Sequence, residues 1–205
     1  MPTEPADAGA QLLSIARAAI AQALGSELSA CAEDEDARWL QEWGACFVTL
    51  TQQDRLRGCV GTVQARRALL ADLKANAVAA ALHDPRFAPL SLAELAHTRI
   101  EVSLLSPMQA LKFDSETQAL AQLQPGTDGV ILEFGPLRST FLPQVWAQLP
   151  SASEFLAQLK RKAGLAADFW SPELRLQRYS VRHWKERDVS AHADSALAFS
   201  ATRRF

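Results

Sequence analysis

Residues 56–63, Leu-Arg-Gly-Cys-Val-Gly-Thr-Val, place two glycines inside a stretch that otherwise reads as a β-strand. Glycine weakens a strand interior, and is worth having there when another backbone or a ligand must come close. The chain at Gly58 and Gly61 is therefore expected to pass tightly against a neighbour. Cys59 lies between them, with Arg57 two residues earlier. Strand geometry sends alternate side chains to one face, so Arg57, Cys59 and Gly61 are expected on one side and Leu56, Val60 and Thr62 on the other. A guanidinium beside a thiol favours the thiolate, which is the nucleophilic form.

The rest of the chain alternates between helical and strand periodicity without a regular βαβα order. Residues 1–9 are rich in Pro, Ala and acid and read as a flexible lead-in. Apolar residues at helical spacing predict a helix over 11–24, closed by Gly25. Glu33 to Asp36 is an acidic stretch in a linker. Residues 45–50 and 56–63 predict an antiparallel hairpin joined by Thr-Gln-Gln-Asp-Arg. An Ala-rich helix follows over 68–82 and stops at Asp84-Pro85, since the residue before proline disfavours helical geometry. Ser91 with Glu94, and Ser151 with Glu154, are capping-box patterns that open helices. Strands are expected over 98–105, with Ile100, Val102 and Leu104 on one face, and over 130–134, 140–142 and 174–181; a short helix is expected over 115–123. The basic run Lys160-Arg161-Lys162 falls in the last turns of a helix, where cations favour the dipole. Residues 188–205 are small, polar and weakly patterned and read as a tail. This mixture predicts an α+β fold, mostly antiparallel sheet with flanking helices.

Composition narrows the function. A net charge of −2 over 205 residues lacks the bulk positive charge that non-specific nucleic-acid binding relies on. The three cysteines, at 31, 46 and 59, are odd in number and form no Cys-x-x-Cys pair, which reads as a reduced, cytoplasmic chain. His83, His97, His183 and His192 are scattered and make no ligand-spaced cluster with them. No metal or cofactor is expected, and the N-terminus has no signal-peptide pattern.

Several segments taken together resemble one family, the AMMECR-type domain. They are Leu56 to Thr62; Asp84-Pro85-Arg86-Phe87 with Pro89; Glu101 to Leu105; Gly126-Thr127-Asp128-Gly129-Val130; Phe141 to Trp146; and Lys160 to Leu165. They occur in the family's order and span roughly residues 10–187. Bacterial and archaeal members include protein A of the AmmeMemoRadiSam gene system. The resemblance implies one domain over 10–187 with two unequal α+β lobes, and a cleft lined by the Leu-Arg-Gly-Cys-Val-Gly segment. It implies a radical-SAM protein and a Memo-like protein as partners. Many members look like Gly-x-His-Gly in the turn where this chain has Asp128, so a role for that histidine does not carry over.

Two functions follow as expectations. In one, the chain is an adaptor or substrate-presenting component, with Arg57, Gly58, Gly61, Arg86 and Glu101 shaping a binding surface. In the other, Cys59 is the nucleophile of a thiol-dependent enzyme, activated by Arg57 and Arg86, with His83 or Glu101 as candidate base. Arg57 and Arg86 together have the chemistry of an anion clamp, and pairing of Arg86 with Asp84 or Glu101 is the structural alternative. A nucleic-acid-binding module is a third reading, carried only by Lys160 to Lys162.

Overall fold

The structure, a computed structural model, describes residues 7–26 and 35–186. Residues 1–6, the stretch 27–34 with Cys31 and half of the acidic run, and the tail with His192 lie outside the described residues. The chain divides into two compact units. The first holds residues up to Ser103 and from His183 onward, and the second holds Leu104–Arg182.

The first unit opens with helix α1 (Ala8–Ala23). Residues 8 and 9 are therefore not lead-in. Both are buried, and the missing side chain of Gly9 leaves room for the Trp184 indole against the helix. After a single-turn helix α2 (Arg38–Gln41) and a two-residue strand β1 (Trp43–Gly44) comes the hairpin of β2 (Cys46–Gln52) and β3 (Arg55–Gly61). A second two-residue strand, β4 (Arg67–Ala68), pairs with β1 and leads into helix α3 (Leu69–Leu82). Helix α4 (Leu92–Leu95) and strand β5 (Arg99–Leu105) follow.

The capping box predicted at Ser91 is formed in full. The Ser91 hydroxyl accepts from the Glu94 N–H, and Glu94 accepts from the Ser91 N–H. The hairpin turn is shorter than the sequence suggests. Only Gln53 and Asp54 leave the ladder, at φ 48° and 59°, the backbone a two-residue hairpin turn needs to match strand twist.

The last strand among the described residues, β10 (Val181–Lys185), joins this unit's sheet in the order β10-β5-β2-β3. The sequence pattern had ended the preceding strand at Val181 and expected none over 182–185. Helix α3 packs on β2 and β3 and also against α1. Cys46, Val48, Leu50, Ile100 and Val102 are fully buried, alternating with half-buried Phe47, Thr49 and Glu101. The alternation expected to run to Leu104 ends at Val102, because Ser103 and Leu105 are buried as well.

A buried carboxylate ties this unit together. Asp72 of α3 accepts from the Cys46 N–H at 3.1 Å, the Asn76 amide at 2.9 Å, the Thr62 hydroxyl and the Arg67 guanidinium at 2.9 Å. Both ends of the hairpin are thus fastened to one helix side chain. Burial, reinforced by the Asp72 charge, pushes the Cys46 thiol far above its ordinary range, so Cys46 stays a neutral, inert packing group.

The second unit carries the sheet β6-β9-β7-β8, formed by β6 (Gln109–Ala110), β7 (Gly129–Phe134), β8 (Leu137–Phe141) and β9 (Arg175–Tyr179). Its pairings are antiparallel. Helix α5 (Glu116–Gln122), a 3-10 turn over Pro143–Ala147 and helix α6 (Ala152–Lys162) complete it. Val130, Leu132, Phe155, Leu156 and Leu159 form the centre of its core. Trp146 stacks on Phe155 with centroids 3.8 Å apart, and its indole N–H donates to the Asp128 carbonyl at 2.6 Å.

Two expectations fail here. The capping box at Ser151 does not form, because its hydroxyl turns to Ser153 instead. Lys160 is not part of a solvated basic face. It is fully buried, with Nζ donating to Glu116 at 2.7 Å. Only Arg161 and Lys162 of that run remain at the surface.

Candidate functional site

Gly58 and Gly61 show why the strand carries glycine. A Cβ on Gly58 would overlap the backbone carbonyl of Ala80 in α3. A Cβ on Gly61 would overlap the Phe47 ring. Gly58, paired with Leu50, is on the face covered by α3. Cys59, paired with Thr49, therefore points to the opposite face and is not the residue packed under the helix. The thiol is half-buried, and the Thr49 hydroxyl lies 3.3 Å from Sγ as donor.

A register shift interrupts the alternation from which Arg57 and Cys59 were expected to share a face. Leu50 pairs with Gly58, whereas Thr51 pairs with Leu56, so Arg57 is the extra residue of a β-bulge. A bulge interrupts the strict alternation. The Arg57 guanidinium goes to Glu94, with Nη2 at 3.1 Å and Nε at 3.3 Å from the same carboxylate oxygen. Glu94 is held down to about 2 by the Ser91 N–H and hydroxyl first, and by Arg57 after them. It remains a carboxylate at any physiological pH.

Arg86 is also committed. Strand β3 is the sheet edge, and the Asp84-Pro85-Arg86 segment covers it at Cys59. Asp84 accepts the Cys59 N–H at 2.9 Å, and Arg86 donates to the Cys59 carbonyl at 3.2 Å. One carboxylate and one guanidinium thus take the places of a neighbouring strand's C=O and N–H. Asp84 and Arg86 fix each other, through Nε–Oδ1 at 2.9 Å and Nη2–Oδ2 at 2.6 Å. The Arg86 guanidinium and then the Cys59 N–H hold the nearly fully buried Asp84 carboxyl well below the usual carboxylate range. This edge is closed to further strands without a helix laid across it.

Arg57 and Arg86 therefore serve two separate carboxylates and do not form a joint anion clamp. Each holds a different part of the segment after α3 against β3.

Glu101 takes part in a different grouping. Its carboxylate lies 3.6 Å from His183 Nδ1, which is 2.9 Å from the Ser103 hydroxyl. In the sheet order, β5 is two places and β10 three places from β3. Neighbouring strands are about 4.8 Å apart, which sets the two backbones roughly 10 and 14 Å from that of Cys59. No hydrogen bond joins Cys59 to Glu101, His183 or His83 among the described residues. The Ser103–His183 contact escaped the sequence reading. The signal was the period-two placement of Glu101 and Ser103, but His183 sits 80 residues away from Ser103 in a strand with no pattern of its own. Because serine and glutamate approach the same ring nitrogen, the trio lacks the two-sided arrangement of a hydrolase triad.

Asp128, at the position where the resemblance has histidine, is a turn residue in the second unit. It accepts the Gln124 N–H at 2.8 Å and is buried. Among the described residues, no group of three or more His, Cys, Asp and Glu is placed to hold a metal ion, and no helix is long and apolar enough to cross a membrane.

The chain is similar in sequence and fold to known proteins. A protein of Methanothermobacter thermautotrophicus is 35% identical over 182 residues, covering 88% of this chain and 95% of its own. One from Methanocaldococcus jannaschii is 37% identical over 145 residues, covering 69% of this chain and 72% of its own. The crystal structure of an uncharacterized protein from Pyrococcus horikoshii superposes with a TM-score of 0.71 at 30% identity, over 87% of this chain and 91% of that one. The sequence pattern of the AMMECR1 family matches residues 13–184, and the chain belongs to that family.

Proposed function

We propose that this chain is a non-catalytic adaptor or substrate-presenting component, in which the Leu-Arg-Gly-Cys-Val-Gly segment is framework for a binding surface. The observation that carries this reading is the commitment of both arginines. Arg57 is spent on Glu94, and Arg86 on Asp84 and the Cys59 carbonyl. A thiol nucleophile needs a positioned base or a cation free to favour the thiolate. Cys59 has the Thr49 hydroxyl at its sulfur, and the Arg86 guanidinium near the thiol is already held by Asp84 and the Cys59 carbonyl. Gly58 and Gly61 supply close packing, and Arg57 and Arg86 fasten the segment that flanks β3. The partners that suit the resemblance are a radical-SAM protein and a Memo-like protein.

The test is Cys59→Ser, which keeps a small hydrogen-bonding side chain opposite Thr49. The adaptor reading expects the variant to fold and to co-purify with both partners from a genome that encodes all three. A well-folded Cys59→Ser protein that binds its partners but abolishes their joint product would sink it. That outcome would favour the second reading, a thiol-dependent enzyme, whose support is the partial exposure of Cys59 and the Thr49 donor at its sulfur. The burial of Lys160 removes one of the three cations on which nucleic-acid binding rested.

A further inference from the structure

The first unit contains a pocket of about 390 Å³ beside the Arg57–Glu94 pair. Hairpin residues Gln53, Arg55, Leu56 and Arg57 form one side, and Glu94 and His97 the other. Its volume suits a small molecule or the end of a chain rather than a folded surface.

The lining sets the donors of Arg55 and Arg57 beside His97 and the side-chain amides of Gln52 and Gln53. Arg55 is exposed, and its guanidinium has no hydrogen bond or ion pair among the described residues. Arg57 is mostly buried and held by Glu94, and its remaining nitrogen, Nη1, is buried as well. His97 is exposed beside them. The sole carboxylate, Glu94, is fully employed. One oxygen takes Arg57, and the other takes the Ser91 N–H and hydroxyl. With Glu94 neutralising Arg57, the charge of Arg55 is left over. Leu56 is 44% exposed and gives the same pocket an apolar wall.

We infer that this pocket binds a small organic carboxylate, its head group on Arg55 and its apolar portion against Leu56. A guanidinium fork matches a carboxylate in plane, and the exposed Arg55 guanidinium is open to such a ligand. The permanent negative charge of Glu94 on the wall disfavours a dianion, which sets a monoanionic carboxylate above a phosphate. The inference goes beyond the adaptor reading and holds whatever Cys59 does.

The experiment is a titration of the 15N-labelled full chain, followed by amide and arginine side-chain NMR. The probes are 4-methylpentanoate, its neutral amide and inorganic phosphate, each applied separately. Saturable shifts with 4-methylpentanoate, confined to residues 52–57 and 94–97, are expected. Affinity is expected to fall about tenfold in Arg55→Gln, equivalent to about 1.4 kcal/mol. Arg55 has no recorded partner to lose, and an unchanged amide spectrum of the free variant confirms its fold. Equal binding of the neutral amide would overturn anion recognition. Phosphate binding as tightly as the carboxylate would overturn the ligand class. No saturable shift, shifts spread over both units, or an unaffected Arg55→Gln would overturn the site.

Discussion

Replacing Gly58 by alanine tests the packing on which the whole segment rests. The new methyl would point at the Ala80 carbonyl of α3, inside van der Waals contact. That oxygen belongs to helix backbone and has no rotamer to adopt. Strand and helix must separate by about 1 Å, and overpacking of this kind costs about 1–3 kcal/mol. The backbone at Gly58 is not in the left-handed region, so alanine there also gains about 0.4–1 kcal/mol from a less flexible unfolded chain. The upper part of the range applies because the neighbour is rigid, and the net expectation is a loss of about 2 kcal/mol. Native-state hydrogen exchange reads this locally. Amides in β2, β3 and α3 should exchange about 30-fold faster than in the parent, the equivalent of about 2 kcal/mol. Amides of the second unit, which shares no core residue with this contact, should be unchanged. If Gly58→Ala is neutral or stabilising, β3 does not lie against α3 as described.

Three further outcomes follow from named contacts. Asp84→Ala removes the acceptor of the Cys59 N–H, and is expected to speed exchange at that amide while α3 stays protected; an unchanged Cys59 amide would mean the edge clamp is not formed in solution. Glu94 has its carboxyl pKa lowered to about 2 on folding, against about 4.3 unfolded, so it contributes stability above pH 4.3 that is lost as pH falls toward 2. Glu94→Gln should flatten the acid side of the first unit's stability profile over that window, and an unaltered slope would refute the Ser91 and Arg57 contacts. Lys160→Met keeps the buried stem and lets Glu116, whose side chain is 34% exposed, return to water, so it should stay within about 1 kcal/mol of the parent. Lys160→Ala should cost about 3 kcal/mol in thermal or urea unfolding. Equal losses in the two would show that the ion pair, not the stem, is what matters.

The sequence carried local information well. Ser91 with Glu94 announced a capping box that forms, and the two glycines around Cys59 announced close approach of another backbone. Both signals depend on residues within a few positions of each other. The pairing of Arg86 with Asp84, two residues away, was among the alternatives the sequence offered, but the partners of Arg57 and of the Cys59 N–H did not show, because they are set by tertiary folding. Glu94 is 37 residues from Arg57, and Asp84 is 25 from Cys59. The bulge at Arg57 was equally silent, since it depends on the register of β3 against β2. The basic run Lys160 to Lys162 gave no sign that Lys160 is buried, because Glu116, which accompanies it inside, comes from another helix. Ser151 had the capping sequence, but a nearby hydroxyl competed for its side chain.

The central claim is that Cys59 is framework. It is tested most directly by the rate of iodoacetamide labelling at Cys59 in the folded chain, compared with the same chain unfolded in urea at the same neutral pH and read by peptide mass spectrometry. Cys46, fully buried, serves as the internal control and should label only on unfolding. The account predicts that folding slows Cys59, because the strand is clamped on both backbone groups and the thiol is half-buried. Faster labelling in the folded protein than in the unfolded chain would mean an activated nucleophile, and would contradict it.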